Sequence, residues 1–252
     1  MAGAADARGR LTRVAGYPVP VRYAAVFFDA GETLVHPHPT FPDLFAQVLR
    51  REGFEVSPQT IRDRIHVVYD RFKRAADTNE LWTTTRERSR RFWHDVYGIF
   101  LRELGIPTGD GLIDVVYAEF TDLANYALFD DVVPTLDRLR DAGLRLGVVS
   151  NFEEWLERLL EQLGVRDYFE VRVISGIEGL EKPDPRIFEL AMERAGVGPA
   201  ESVYVGDNPE FDVDPALAVG MFPVLIDRRD RYPDGPGARV TSLEQLPALL
   251  EV

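Results

Sequence analysis

Tyr23 to Phe28 is an apolar run that ends in an acid, followed by Asp29-Ala30-Gly31-Glu32-Thr33. An uninterrupted apolar stretch of this length predicts a strand buried on both faces, as in a parallel sheet. A carboxylate at the C-terminal end of such a strand projects into the crevice where open α/β sheets bind ligands. Gly31 permits a sharp turn that exposes backbone carbonyls. It also stands two residues after Asp29, where a second acid would be useful.

The remainder of the chain supports that sheet. From about Phe129 onward, strands and helices alternate, which predicts a doubly wound parallel sheet. The strand at 144–149 ends at Ser150-Asn151, and that at 171–174 leads to a loop holding Lys182-Pro183. The strand at 202–205 ends at Gly206-Asp207, and 222–226 forms a last strong strand. Helices are expected at 133–142, 152–163, 185–195 and through 215–219. Between the first strand and this region, Pro37, Pro39 and Pro42 mark a linker, and the following stretch has helical periodicity. Its helices are expected at 43–52, from Pro58 (capped by Ser57) to about 76, at 84–104 and at 112–128. The resulting organisation is an N-terminal extension (1–20), an α/β core (21–36 and 129–252) and a helical cap (37–128).

Composition limits what such a chain does. The 252 residues carry a formal charge of −13, with no basic stripe to neutralise phosphates, which argues against nucleic-acid binding. The absence of cysteine excludes disulfides, thiolate metal sites and a cysteine nucleophile. Residues 1–20 have no continuous apolar stretch, and no segment has the length to span a bilayer, so a soluble cytoplasmic protein is expected. Among 29 basic residues only Lys73 and Lys182 are lysines, which draws attention to Lys182 in its loop.

Asp29, Ser150, Lys182 and Asp207 thus fall after strands whose ends point the same way, so they converge on one crevice. Their chemistry suits phosphoryl transfer. Asp29 is a candidate nucleophile, and Asp207 and Asp212 are hard oxygen donors suited to Mg²⁺. Ser150 and Asn151 can hold phosphate oxygens, and Lys182 can offset the repulsion between a carboxylate and a phosphate.

The stretches Phe28-Asp29-Ala30-Gly31-Glu32-Thr33, Val148-Val149-Ser150-Asn151, Leu180 to Pro185 and Val205 to Asp212 resemble the motifs of the haloacid dehalogenase superfamily, in the same order. The helical insertion looks like the cap of that superfamily's first subclass. The resemblance covers the chain from about Val21 to its C-terminus. It implies a Rossmann-like core and a Mg²⁺-dependent hydrolase acting on a small phosphorylated metabolite. It makes Asp29 both nucleophile and metal ligand, the Gly31 carbonyl and Asp207 further ligands, and Asp212 a direct or water-mediated support. Ser150 and Lys182 would bind the transferring phosphoryl group.

Gly31 departs from the family's phosphatase pattern, which has an aspartate there as general acid and base. Such a group contributes about 10²–10⁴-fold. Glu32, Glu87 or His94 could stand in. The alternatives are a metal-independent 2-haloacid dehalogenase, whose halide leaves without a proton, and a nearly inactive binding member. Cap features admit two readings each. Trp82, Phe92 and Trp93 read first as cap packing and second as a substrate wall. Arg86, Arg88, Arg90 and Arg91 read first as a solvated face and second as a site for another anionic group. His36-Pro37-His38 reads as linker before metal pair.

Overall fold

The computed structural model describes residues 23–109, 111–233, 235 and 237–252, so the expected extension at 1–20 lies outside the described residues. The chain begins with β1 (Ala25–Phe28) and β2 (Val35–Pro37). Helices α1 (Phe41–Arg51), α2 (Pro58–Arg64), α3 (His66–Asp77), α4 (Arg86–Glu103) and α5 (Leu112–Glu119) follow. After β3 (Tyr126–Leu128) come α6 (Val132–Asp141), β4 (Arg145–Ser150), α7 (Leu156–Gln162), β5 (Val171–Ile174), α8 (Ser175–Glu178) and α9 (Pro185–Ala195). The chain closes with β6 (Ser202–Gly206), α10 (Asp214–Ala218), β7 (Phe222–Ile226), β8 (Ala238–Val240) and α11 (Leu246–Leu249).

A 6-stranded sheet has the order β5-β4-β1-β6-β7-β8, with every neighbouring pair parallel. This is the doubly wound, Rossmann-like architecture expected from the alternation of strands and helices. The central strand β1 is buried along its whole length and faces two layers. Val26 and Phe28 pack with Leu136, Leu159 and Leu246, whereas Ala25 and Phe27 pack with Ile187 and Phe188 of α9. Period-two alternation therefore feeds both layers from one apolar run. Each fully buried phenylalanine contributes on the order of 1.5–3 kcal/mol.

Helices α1 to α5 bury a separate cluster, built around Phe45, Phe92, Phe100 and Phe120. Their starts follow capping chemistry: Thr40, Ser57 and Thr85 each accept a backbone N–H of the first turn.

Some local expectations fail, either at a local turn or where a distant partner competes. The helix expected from Pro58 to 76 is interrupted at Ile65, whose N–H bonds to Arg62 O, and resumes as α3. The helix expected over 112–128 stops at Glu119. Asp122 accepts the Ala124 N–H at 2.9 Å, and residues 126–128 become β3, antiparallel to β2. Pro37, expected in a linker, is part of β2. The helix expected from residue 152 begins only at Leu156. Residues before it are held elsewhere, Phe152 N–H by Ser175 Oγ (2.9 Å) and Glu153 by Ser89 and Tyr117. Strand β8 was not anticipated. Among the described residues no helix is long and apolar enough to cross a membrane.

Candidate active site

Asp29 leaves the sheet immediately after β1, its N–H still bonded to Val205 O at 2.8 Å. The residue is 7% exposed, and Oδ1 accepts Ser150 Oγ (2.9 Å) from the end of β4 and Lys182 Nζ (2.7 Å). Lys182 arrives on the loop before α9. Its backbone is gripped by Asn151, which accepts Lys182 N–H through Oδ1 (2.7 Å) and donates Nδ2 to Lys182 O (2.8 Å). The Asn151 amide is thus engaged at both ends by the lysine's own backbone.

Lys182 Nζ also donates to Asp212 Oδ1 (2.5 Å) and Tyr204 Oη (2.9 Å). Tyr204 in turn donates to Val149 O at 2.7 Å. Tyr204 sits fully buried in β6, where nothing in an apolar strand pattern marks it as a site residue. Burial works against the lysine's charge, but Asp212 and Asp29 outweigh it and hold the ammonium above its ordinary range.

The loop after β6 is shaped to bring its acids inward. Asn208 accepts the N–H groups of Glu210 (2.9 Å) and Phe211 (3.1 Å), opening a π-helical turn over Pro209–Val213. Such turns are rare and concentrate at functional sites. Asp212 folds back so that Oδ2 accepts Asn208 N–H at 3.0 Å. This return requires a glycine at 206, because a Cβ there would lie 2.3 Å from Asp212 Cγ. The sequence element Gly206-Asp207 is explained by that contact.

Asp29, Asp207 and Asp212 offer carboxylate oxygens within 4.8 Å of one another. Burial, then the charge of Asp212, push the Asp207 carboxyl up to about 8, although Arg231 pulls the other way. Burial likewise raises Asp212, with Lys182 opposing. Three crowded carboxyl groups, each a hard oxygen donor, fit a divalent cation of the Mg²⁺ class. Arg231, from the loop after β7, donates to Asp207 Oδ2 at 2.9 Å and lies over the Tyr69 ring at 4.8 Å. Sequence reasoning missed it, although it follows a strand of the same sheet.

These groups form the floor of a cavity of about 260 Å³ whose walls include all three tryptophans, Trp82, Trp93 and Trp155. Gly31 and Glu32 line it as well; Glu32 is paired with Arg229 at 2.6 Å. Glu87 and His94 are not among the lining residues. Glu87 is exposed and paired with Arg91, and His94 packs against Tyr117 and Asp114. The arginine run also faces away. Arg90 pairs with Asp114, Arg88 donates to Thr84, and Arg86 is exposed. The His36 and His38 rings are 6.3 Å apart, and His36 Nδ1 contacts Pro37 O at 2.7 Å.

Buried carboxylates also join the helical segment to the sheet. Glu181 accepts Trp82 N–H (2.8 Å), Thr83 N–H (2.7 Å) and Thr83 Oγ1 (2.8 Å). Glu153 accepts Ser89 Oγ (2.7 Å) and Tyr117 Oη (3.1 Å). Neither acid was anticipated, since a glutamate beside a motif carries no signal of its distant partners.

Residues 23–220 match the haloacid dehalogenase-like hydrolase family. The chain belongs to that family. Haloacid dehalogenase-like hydrolase domain-containing protein 3 of Mus musculus is 32% identical over 204 residues, which span 79% of this chain and 80% of the mouse protein. A glyceraldehyde 3-phosphate phosphatase of Methanopyrus kandleri is 38% identical over 143 residues, 55% of this chain and 60% of that enzyme. The crystal structure of a phosphatase of the family from Thermococcus onnurineus superposes with a TM-score of 0.55 at 26% identity, covering 90% of this chain and 97% of the other. Haloacid dehalogenases share the fold too. The protein is accordingly a hydrolase of this family with phosphatases among its relatives.

Proposed function

We propose that the protein is a Mg²⁺-dependent phosphomonoester hydrolase of the cytoplasm, with residues 37–128 closing over the site as a cap. The observation that carries this reading is the convergence of Ser150, Lys182 and the Asp207–Asp212 pair on the Asp29 carboxylate. A carboxylate that accepts hydrogen bonds from a serine and a buried lysine is fixed in orientation. The same donors are within reach of the oxygens of a phosphoryl group brought to Asp29.

In the proposed reaction an Asp29 oxygen forms a bond to phosphorus and the ester oxygen leaves with its electron pair, giving an aspartyl-phosphate. Water then attacks that phosphorus, releasing inorganic phosphate and restoring the carboxylate. Ser150 and Lys182 would hold phosphoryl oxygens in both steps, and Asn151 would keep Lys182 in place. Asp29, the Gly31 carbonyl, Asp207 and Asp212 would hold Mg²⁺, which when bound supplies positive charge against the incoming phosphate. Gly31 has no proton to give. Of Glu32, Glu87 and His94, Glu32 alone lines the cavity, so once released by Arg229 and protonated from solvent it is the candidate donor to the leaving oxygen.

The relatives named as phosphatases of glyceraldehyde 3-phosphate and of phosphoserine support a phosphorylated small molecule as substrate. Gly31 favours a second reading, dehalogenation, because a departing halide needs no proton. A panel of phosphomonoesters assayed for inorganic phosphate, with Mg²⁺ and with chelator, separates the two. The expected result is Mg²⁺-dependent release that disappears in Asp29→Asn. Chloride release from 2-chloropropionate in chelator, with no phosphate release from any ester, would replace this reading with the second.

A further inference from the structure

We infer that the substrate, beyond its phosphoryl group, is an uncharged apolar alkyl or aralkyl ester and not a polar metabolite. This rests on the phosphatase reading above. The cavity over Asp29 is walled by Trp82, Trp93, Trp155, Phe72, Phe41 and Phe120. Trp82 stacks on Phe92 with centroids 4.5 Å apart, and Phe72 meets Trp93 edge to face at 5.6 Å. These rings are therefore held in fixed positions by one another. The space, about 260 Å³, extends beyond the phosphoryl position far enough for a small ring or short chain.

Several polar groups in the same wall are spent on the protein, while the indole N–H groups of Trp82 and Trp155 are buried without a partner. Glu153 binds Ser89 and Tyr117, Thr83 binds Glu181, and the hydroxyls of Thr121 and Tyr126 donate to backbone carbonyls. The cations that line the cavity are also matched. Lys182 serves Asp29 and Asp212, Arg229 serves Glu32, and Arg231 serves Asp207. In the metal-free protein a second anionic group on the substrate would have to displace Glu32 from Arg229 or Asp207 from Arg231, and would face Glu153. A polyhydroxylated body would bring most of its hydroxyls against ring faces that return no hydrogen bonds, a loss that apolar walls do not offset.

The test compares esters whose leaving alcohols are all primary: 2-phenylethyl phosphate and butyl phosphate against glycerol 3-phosphate and phosphoserine. The expected result is a kcat/KM at least about tenfold higher for the apolar pair. Tryptophan fluorescence of the Asp29→Asn protein provides a readout independent of turnover, because every tryptophan lines the cavity. 2-Phenylethyl phosphate should quench it at concentrations where glycerol 3-phosphate does not. Trp93→Ala should lower the ratio of apolar to polar kcat/KM. Equal or inverted preference, or quenching by the polar ester at lower concentration, overturns the inference. If no ester is hydrolysed, the phosphatase reading fails. Selective quenching by 2-phenylethyl phosphate would then uphold the apolar site, and quenching by neither ester would remove it.

Discussion

Arg231 Nη2 lies 2.9 Å from Asp207 Oδ2, so an arginine side chain engages one of the acids grouped for a metal. A cation arriving at Asp207 competes with that guanidinium. Arg231→Gln should therefore tighten Mg²⁺ binding by about tenfold, the scale of one charge-assisted hydrogen bond. Calorimetric titration at pH 9, above the range where Asp207 titrates, is the measurement. Unchanged or weakened affinity would show that the ion pair does not oppose the metal.

Asp207 itself should make metal binding depend on pH. Its carboxyl, pushed up to about 8, holds a proton at neutral pH in the metal-free protein and must lose it to ligate. Mg²⁺ affinity should rise as pH rises toward 8 and level off beyond. The linkage to folding has the opposite sign. An acid whose folded value is raised binds more protons folded than unfolded, so metal-free stability falls as pH climbs from about 4 to about 8. Asp207→Asn should flatten that decline. Calorimetry in buffers of different ionisation enthalpy and urea unfolding across pH check both halves.

Gly31 leaves room for the group that the phosphatases of the family carry. A Cβ at this position meets nothing within 4 Å, and its backbone is not left-handed. Gly31→Asp should fold normally and raise kcat for alkyl phosphomonoesters by up to about 10²-fold, with a new basic limb in the pH–rate profile. A fall in kcat would show that the native reaction depends on the missing side chain.

Asp131 should make the fold sensitive to acid. Burial pushes its carboxyl up, but Arg228 at 2.7 and 2.9 Å, the Leu243 N–H at 2.9 Å and Ser242 at 2.8 Å outweigh it and hold it below its usual range. A depressed carboxylate contributes stability above its unfolded value that is lost as pH falls through the folded one. The stability difference between the native protein and Asp131→Asn should shrink as pH drops from 7 to 3. Urea unfolding at both pH values measures it, and a constant difference would refute it.

The strand ends were legible because a parallel sheet sends every C-terminal strand end to the same side. Asp29, Ser150 and Asp207 are consecutive with apolar runs, and that adjacency places them without any knowledge of contacts. Helix ends were legible where a cap residue preceded proline, as at Ser57-Pro58. Where the chain exchanged a local bond for a distant one, periodicity misled. Residues 152–155 leave the helix for Ser175, Ser89 and Tyr117, and residues 126–128 leave it to pair with β2.

The amino-acid sequence alone determined the family, the parallel sheet and the order in which acids, serine and lysine reach its edge, because these depend on local hydrophobic pattern and strand polarity. Only the tertiary structure decided how those groups are shared. It gave Lys182 to two carboxylates and a tyrosine, Asn151 to the lysine's backbone and Arg231 to Asp207. It also turned the tryptophans of two distant segments into one wall. Such pairings join residues up to 153 positions apart, and no local pattern encodes which distant partner a charge will meet.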